Sequence, residues 1–301
     1  MKKNAIPLGR ILGIPIGLDY SWFLVFGLFT WMLATSYYPV QFKEWPTLQY
    51  WMVGAITTIL LFVSVLLHEL GHAAVSQRYN ISVRSITLFI FGGVAQIESE
   101  PPSAVAEFWI AIAGPIVNFV LALIFWLLLP LTTAATPLFA LLQYLAIINV
   151  SLAIFNLIPG FPLDGGRVFR AIVWGLGKDM QRATLIAANV GRGFAYLFIF
   201  IGLWQIFKGD FGNGLWTVFI GWFLESAAVA QVQQQLVHNL LAGRRVGQAM
   251  SRRYVAIPPE MTLQQLVDRH ILDGGQRSFV IEQGNELLGL LTLHHLKKVP
   301  A

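Results

Sequence analysis

Long apolar blocks run through this sequence and restrict its fold more than any other feature. Of its 301 residues, 56% are hydrophobic and 12% are charged, whereas charged residues make up about 25% of a typical soluble protein. A helix needs roughly 20 apolar residues to cross a membrane core, and six segments fit: residues 18–38, 50–78, 106–130, 137–158, 193–207 and 214–232. The fifth is short, and its alternative start lies near Thr184. These blocks predict an all-α polytopic membrane protein with six transmembrane helices.

The basic residues lie between the apolar blocks and predict an orientation. Loops on the cytoplasmic side carry an excess of Lys and Arg. With both termini in the cytoplasm, the outside loops carry only Lys43 and Lys208, whereas the inside segments carry Lys2, Lys3, Arg10, Arg78, Arg84, Arg167, Arg170, Lys178, Arg182 and Arg192. We therefore expect both termini in the cytoplasm, and the pattern does not favour nucleic-acid binding. The absence of organelle targeting signals favours a bacterial-type cytoplasmic membrane, with an internal membrane as the alternative.

Residues 80–100 differ in composition from the apolar blocks. They are rich in β-branched and aromatic residues up to residue 91, continue with Gly92 and Gly93, and end before Pro101. Such runs with a glycine pair between them are typical of short strands. We expect a short β segment at, or dipping into, the inner face of the membrane, with a plain interfacial loop as the alternative.

The composition becomes that of a soluble protein from about Gly243 onward. Residues 262–267 have a helical pattern, and residues 278–282 and 287–291 resemble strands, because the hydrophobic period changes from 3.6 to 2. The chain is therefore predicted to have two domains, a membrane domain at residues 1–235 and a small cytoplasmic α/β domain at residues 236–301.

The second apolar block contains the pattern His68-Glu69-Leu70-Gly71-His72. Two histidines at i and i+4 lie on one face of a helix and can bind one metal ion, with the glutamate beside it. Ionisable residues inside a membrane are costly and usually mark function. The alternative is a pair of structural histidines with a buried glutamate. The chain has no cysteine, so further ligands have to be His, Asp or Glu.

Topology selects Asp164 as the third ligand. The second and fourth blocks run in the same direction across the membrane, and the fourth ends shortly before Asp164, at the depth of His68. The prolines and glycines around it permit irregular backbone, which a membrane tolerates where it lines a cavity. The alternative is a helix N-cap before Gly165.

Three separated motifs resemble those of the site-2 protease family of membrane-embedded zinc metalloproteases. They are the HExxH pattern, the NxxPxxPLDGGR run at residues 156–167, and Gly114-Pro115-Ile116-Val117-Asn118 in the third block. The resemblance covers about residues 1–235. It implies that His68, His72 and Asp164 ligate Zn²⁺ and that Glu69 activates water as the general base.

The resemblance also implies substrate contacts. Asn156 is similar to the family asparagine that contacts the substrate backbone, and an interhelical hydrogen bond is its alternative role. Gly92 and Gly93 would let an unwound substrate approach a strand edge closely. Gly114 and Asn118 are interpreted as helix-packing residues, and Glu225 in the sixth block as a glutamate with a structural partner.

The tail resembles a CBS domain repeat at residues 246–251, 257–262 and 288–292. Such repeats usually occur in pairs that sense adenine nucleotides. One repeat is present here, so a pair would require a homodimer or further sequence. His295 stands where a ribose-binding aspartate is expected, which leaves adenine-nucleotide binding open.

The prediction from sequence is a zinc-dependent intramembrane endopeptidase. Its expected partners are the lipid bilayer and a single-span membrane protein substrate, cut near the cytoplasmic end of its span in regulated intramembrane proteolysis. The alternatives are a zinc-binding membrane sensor or carrier and an inactive scaffold. A carrier is disfavoured because it would have polar groups in paired halves of the fold, whereas here they collect on one side, at the HExxH motif and Asp164. A scaffold is disfavoured because it could hold zinc without the base Glu69.

Overall fold

Six helices are long and apolar enough to cross a membrane, by length and composition. In the computed structural model they comprise Ser21–Gln41, Thr47–Arg78, Ala104–Leu131, Pro137–Asn156, Met180–Phe207 and Phe211–Gln233. The number of predicted spans is confirmed for the described part of the chain. The fifth helix begins at Met180, so the start predicted at residue 193 was too late, and the alternative start near Thr184 is closer.

The structure describes residues 5–90, 92–97, 99–134, 136–241, 245–250, 254–272, 276–284 and 286–296. The chain divides into two compact units, residues 1–237 and 238–301. The helices of the first unit are α1 (Ser21–Met32), α2 (Tyr38–Gln41), α3 (Thr47–Arg78), α4 (Ala104–Leu128), α5 (Pro137–Asn156), α6 (Asp164–Gly177) and α7 (Met180–Phe207). The next helix along the chain is α8 (Phe211–Leu241). A π-helical segment, Leu33–Tyr37, joins α1 to α2.

Side-chain caps begin several of these helices. Ser103 accepts a hydrogen bond from the backbone N–H of Ala106 at the start of α4, and Thr136 caps α5 in the same way. Asp179 accepts from two backbone N–H groups at the start of α7. Such caps satisfy N–H groups that have no partner within the helix.

Four strands form one sheet in the first unit, in the order β1-β2-β3-β4. They are β1 (Ala5–Ile11), β2 (Ile14–Asp19), β3 (Val83–Phe89) and β4 (Gly92–Ile97). The hairpin of β1 and β2 was not predicted. The first helix begins at Ser21, so the start of the first span at residue 18 was wrong, because Leu18 belongs to β2.

The sheet packs against the C-terminal half of α3. Ile14, Ile16 and Ile86 of the sheet form a buried cluster with Leu70 and Ala73 of α3. Strand β2 pairs with β3 in parallel, and β3 pairs with β4 in antiparallel fashion. Strand β4 is therefore the edge of the sheet on one side, and its Gly93 lies beside Glu69. The sheet places a strand edge next to the HExxH motif.

The second unit contains a small three-stranded sheet in the order β5-β6-β7. Its strands are β5 (Ala256–Ile257), β6 (Ser278–Gln283) and β7 (Glu286–Thr292), with short helices α9 (Val246–Ala249), α10 (Leu263–Leu266) and α11 (Leu293–Leu296). Ile257, Leu266 and Phe279 form its buried core. The helix and the two strands predicted in the tail are confirmed.

Candidate metal centre

The two histidines of the HExxH motif lie one turn apart on the same face of α3. His68 and His72 are buried, with 7% and 4% of their surface exposed. Their Nε2 atoms are 3.1 Å apart and point to the same place. The i, i+4 spacing therefore produces the convergence expected from the sequence.

Asp164 joins these histidines from a different helix. It occupies the first turn of α6, directly after the irregular chain that follows α5. Its Oδ2 lies 3.1 Å from His68 Nε2 and 3.2 Å from His72 Nε2. A side chain at Gly165 would contact the Leu157 backbone at 2.3 Å, so this glycine lets the connection fold tightly over the start of α6. The structure thus brings together the three predicted ligands.

The outer nitrogens of both imidazoles are occupied by hydrogen-bond acceptors. His68 Nδ1 donates to the amide oxygen of Asn118, and His72 Nδ1 donates to the carbonyl oxygen of Ile110 at 2.6 Å. Both acceptors belong to α4. Each histidine therefore carries its hydrogen on Nδ1 and directs the lone pair of Nε2 inward, which is the usual arrangement for metal-binding histidines.

The inward atoms fit a cation. Two lone pairs and a carboxylate oxygen face each other at 3.1–3.2 Å, and this arrangement is repulsive unless positive charge lies between them. Ligand atoms about 2 Å from a tetrahedral zinc lie roughly 3.3 Å from one another. A carboxylate binds metal in its ionised form and an imidazole in its neutral form, and the two neutral rings with Asp164 Oδ2 directed at them supply this donor set.

Helix α4 forms the back of the site, which changes the interpretation of Gly114 and Asn118. A side chain at Gly114 would lie 2.3 Å from His72 Nε2 and 2.6 Å from His68 Nε2. Gly114 therefore keeps the space beside the inward nitrogens free, and Asn118 orients His68 while also donating to Asn149 of α5. Assigning these residues to helix packing alone was incomplete. The sequence signal for a shared role was the spacing of four residues between Gly114 and Asn118, which places both on one face of α4.

Glu69 faces a cavity of about 540 Å³ that also contains His68 and Asp164. The lining of this cavity includes the other predicted site residues, Asn156, Gly92 and Gly93. A side chain at Gly93 would approach Glu69 Cγ to 2.4 Å, so β4 and Glu69 are in close contact. Gly92 has a φ of +120°, which L residues rarely adopt. Three aromatic residues of α8, Trp216, Phe219 and Phe223, also line this cavity.

Glu225 of α8 lies outside this set of residues. Its Oε1 is 3.7 Å from Nε of Arg192 in α7, and both side chains are partly exposed. The prediction that Glu225 has a structural partner is confirmed.

Comparisons with known proteins match both units. The model for peptidase family M50 matches residues 56–135 and 131–200, and the CBS domain model matches residues 246–301. Rip3 of Mycobacterium tuberculosis, named as a zinc metalloprotease, is 36% identical over 301 residues, which cover 99% of this chain and 76% of Rip3. The protein sll0528 of Synechocystis, also named as a zinc metalloprotease, is 37% identical over 303 residues, covering 99% and 79%.

A solved structure is similar as well. The site-2 protease from Methanocaldococcus jannaschii aligns with a TM-score of 0.53 and 31% sequence identity, covering 76% of this chain and 95% of that protein.

Proposed function

Because this chain belongs to peptidase family M50, the site-2 proteases, we propose that it cleaves a single-span membrane protein near the cytoplasmic end of its span. As a member, the chain is a multi-pass membrane protein and a zinc metalloprotease, with a CBS domain at its C-terminal end. The substrate class, the cleavage position and the roles of individual residues form the proposal, in which cleavage releases a cytoplasmic fragment.

The convergence of His68 Nε2, His72 Nε2 and Asp164 Oδ2 is the observation that carries the proposal. In this assignment the three side chains hold one zinc ion. Zinc bound by three protein ligands lowers the pKa of a water in the fourth position to roughly 7, which makes a nucleophile available at neutral pH. The absence of cysteine leaves a nitrogen and oxygen donor set, which suits zinc.

Glu69 is assigned as the general base. Its carboxylate takes a proton from the attacking water and passes it to the nitrogen of the leaving amine. The contact between Glu69 and Gly93 supports this role, because it limits where the carboxylate can move. Asn118 and the Ile110 carbonyl keep the two imidazoles in the tautomer that binds metal.

The edge of β4 is assigned to substrate binding. A helical segment has its carbonyl groups hydrogen-bonded, so the scissile stretch has to unwind before it is cut. An unwound stretch gains backbone partners by pairing with a free strand edge, and β4 is the last strand of its sheet. Gly92 and Gly93 permit close backbone approach, and Asn156 lies in the same cavity, where its amide can hold the substrate carbonyl.

The orientation proposed from charge places both termini in the cytoplasm. His68 lies in the second half of α3, and Asp164 follows the end of α5. With the N-terminus in the cytoplasm, both positions lie toward the cytoplasmic side. A cut at this depth would fall near the cytoplasmic end of the substrate span.

The tail is proposed to pair with the tail of a second copy. Leu287, Leu288 and Leu290 of β7 are exposed by 70%, 50% and 58%, and β7 is an edge strand of its sheet. An apolar edge of this kind is usually covered. The Thr292 hydroxyl lies 3.4 Å from Nδ1 of His295, the residue that stands where a ribose-binding aspartate is expected.

Cleavage of a tagged single-span protein by the purified full chain in detergent with zinc tests the proposal. We expect cleavage that stops on chelation and in Glu69→Gln, while Glu69→Gln keeps its zinc. Glu225→Gln is a matched control, since it makes the same exchange at another glutamate of the spans, and it should cleave normally. Cleavage that persists in Glu69→Gln would remove the proposed mechanism. Failure of the folded wild type to bind zinc would remove the metal centre and favour a scaffold.

A further inference from the structure

Four residues of α4 face the metal centre and α6 at intervals of three and four positions. Ile110 and Asn118 accept hydrogen bonds from the two histidines, and Gly114 leaves room for their inward nitrogens. Glu107 lies on the same face, about one turn earlier, and contacts α6 instead. One face of α4 therefore touches the helices that supply all three proposed ligands.

Glu107 is joined to Arg170 of α6 by a buried ion pair. Glu107 is fully buried and Arg170 is 6% exposed. Arg170 Nε donates to Glu107 Oε1 at 2.7 Å, and Nη2 donates to the same oxygen. Arg170 Nη1 also lies 3.5 Å from the hydroxyl oxygen of Thr184 in α7. One guanidinium thus connects α6 to both α4 and α7.

Arg170 also contacts the chain that leads into Asp164. Its guanidinium carbon lies 5.2 Å from the centre of the Phe161 ring, and Phe161 is 4% exposed. Phe161 precedes Asp164 by three residues and Arg170 follows it by six, about 9 Å along a helix. Contacts on both sides of Asp164 therefore restrict how the first turn of α6 can move.

A buried ion pair is poorly explained by stability alone. Removing two charges from water costs several kcal/mol per ion, and well-packed apolar residues in their place are often neutral or stabilising. The pair does, however, set a defined distance and direction between α4 and α6. A fixed distance and direction between these helices matters for Asp164, because its Oδ2 has to lie 3.1–3.2 Å from the Nε2 atoms of His68 and His72.

We propose that Glu107 and Arg170 are positioning residues that hold Asp164 in register with His68 and His72. The inference rests on the metal centre of the proposed function. Among the described residues, neither Glu107 nor Arg170 makes a hydrogen bond or an ion pair with a proposed metal ligand. Both would therefore act through the placement of α6. Loss of the pair should weaken metal binding while leaving the fold intact.

Binding of Co²⁺ to the metal-free full chain in detergent tests the inference without relying on cleavage. The visible absorption of Co²⁺ reports coordination number and geometry, and a chelator competition gives its dissociation constant. The double variant Glu107→Met with Arg170→Met replaces the ion pair by apolar side chains of similar length. We expect a Tm equal to or above that of the wild type, an altered visible spectrum, and a dissociation constant raised about 10- to 100-fold, as for other residues that orient ligands.

Arg170→Lys decides the question if the double variant does not fold. It keeps the charge but loses the fork that donates twice to Glu107, so we expect a smaller rise in the dissociation constant. Glu225→Gln, at the more exposed ion pair with Arg192, is the control and should bind Co²⁺ like the wild type. A wild-type spectrum and affinity in the folded double variant, or in Arg170→Lys if the double variant does not fold, would overturn the inference. If the folded wild type itself does not bind Co²⁺, the metal centre is lost and the inference with it.

Discussion

His68 donates its Nδ1 hydrogen to the side-chain oxygen of Asn118 across the interface between α3 and α4. The hydrogen-bond chain continues to α5, because the side-chain amide of Asn118 donates to Asn149 Oδ1 at 2.8 Å. Asn149 donates in turn to the carbonyl oxygen of Leu145 and to the hydroxyl oxygen of Ser64. A buried chain of hydrogen bonds thus fixes the ring of His68 relative to three helices.

Replacing Asn118 should weaken zinc binding through His68. In Asn118→Leu the Nδ1 hydrogen loses its acceptor, so the ring can rotate or exchange tautomer. We expect the zinc dissociation constant to rise about 10- to 100-fold, the usual effect of losing such a partner. Asn118→Asp keeps an acceptor and should lose less. Chelator competition in detergent measures both values.

A distant buried contact provides the control for Asn118. The hydroxyls of Thr30 and Thr58 lie 3.3 Å apart between α1 and α3. Thr30→Val removes this hydrogen bond and should leave zinc affinity unchanged. Equal zinc affinity in Asn118→Leu and the wild type would show that His68 does not depend on Asn118.

Adding a methyl group at Gly93 should slow cleavage without releasing zinc. The new carbon would lie 2.4 Å from Glu69 Cγ and 3.1 Å from Glu69 Oε1, so the carboxylate or the strand has to shift. A shift of about 1 Å at a catalytic group can cost 100-fold in rate, and we expect kcat to fall about 10- to 100-fold. Cleavage kinetics together with zinc content per chain measure this.

Gly193→Ala is the matched change for this experiment. A methyl group there meets no atom within 4 Å, and the residue lies inside α7. It should retain full activity and full zinc content. Normal kcat in Gly93→Ala would contradict the contact between β4 and the proposed base.

The local patterns in the sequence predicted the central part of the site. His68 and His72 are fixed relative to each other by helix periodicity, since any regular helix puts i and i+4 on one face. Asp164 required a second step, in which the direction of the spans placed it at the same depth. The structure brings these three side chains together. Helix geometry and topology were sufficient because neither depends on the details of packing.

Contacts between distant segments could not be read from the sequence in the same way. Ile14, Ile16 and Leu18 alternate and are all buried, but Pro7 and Pro15 obscured the strand signal, since proline normally weakens it. The partner strand β3 begins more than sixty residues later, at Val83. The ion pair of Glu107 and Arg170 is similarly non-local, because nothing near either residue indicates the other.

Removing the metal should destabilise the wild type, and the loss should depend on Asp164. A ligand present at 1,000 times its dissociation constant stabilises a folded protein by about 4 kcal/mol. We expect chelation to lower the Tm of the wild type and of Glu69→Gln by several degrees, since Glu69 is not assigned as a ligand. Asp164→Asn should show little further loss on chelation. Thermal unfolding with and without chelator measures the effect in all three proteins. An unchanged Tm of the wild type after chelation would contradict zinc-dependent stability.

Gly114 should tolerate even a methyl group poorly, because it borders the inward faces of both histidines. The added carbon would lie 2.3 Å from His72 Nε2 and 2.6 Å from His68 Nε2, closer than real side-chain carbons approach other atoms. These rings cannot simply turn away, since Asn118 and the Ile110 carbonyl hold their outer nitrogens. We therefore expect Gly114→Ala to fold but to retain well under one zinc per chain and to lose cleavage.

Metal analysis of purified, folded protein measures the effect of Gly114→Ala, with Gly175→Ala as its control. A methyl group at Gly175 would meet Ala104 at 3.6 Å, an ordinary contact, so this variant should keep its zinc. If Gly114→Ala instead holds one zinc per chain with wild-type affinity, the histidines have room to move away from α4. In that case the hydrogen bonds that the histidines donate to α4 would not be what fixes the position of the rings, and the loss of affinity expected for Asn118→Leu should also be absent.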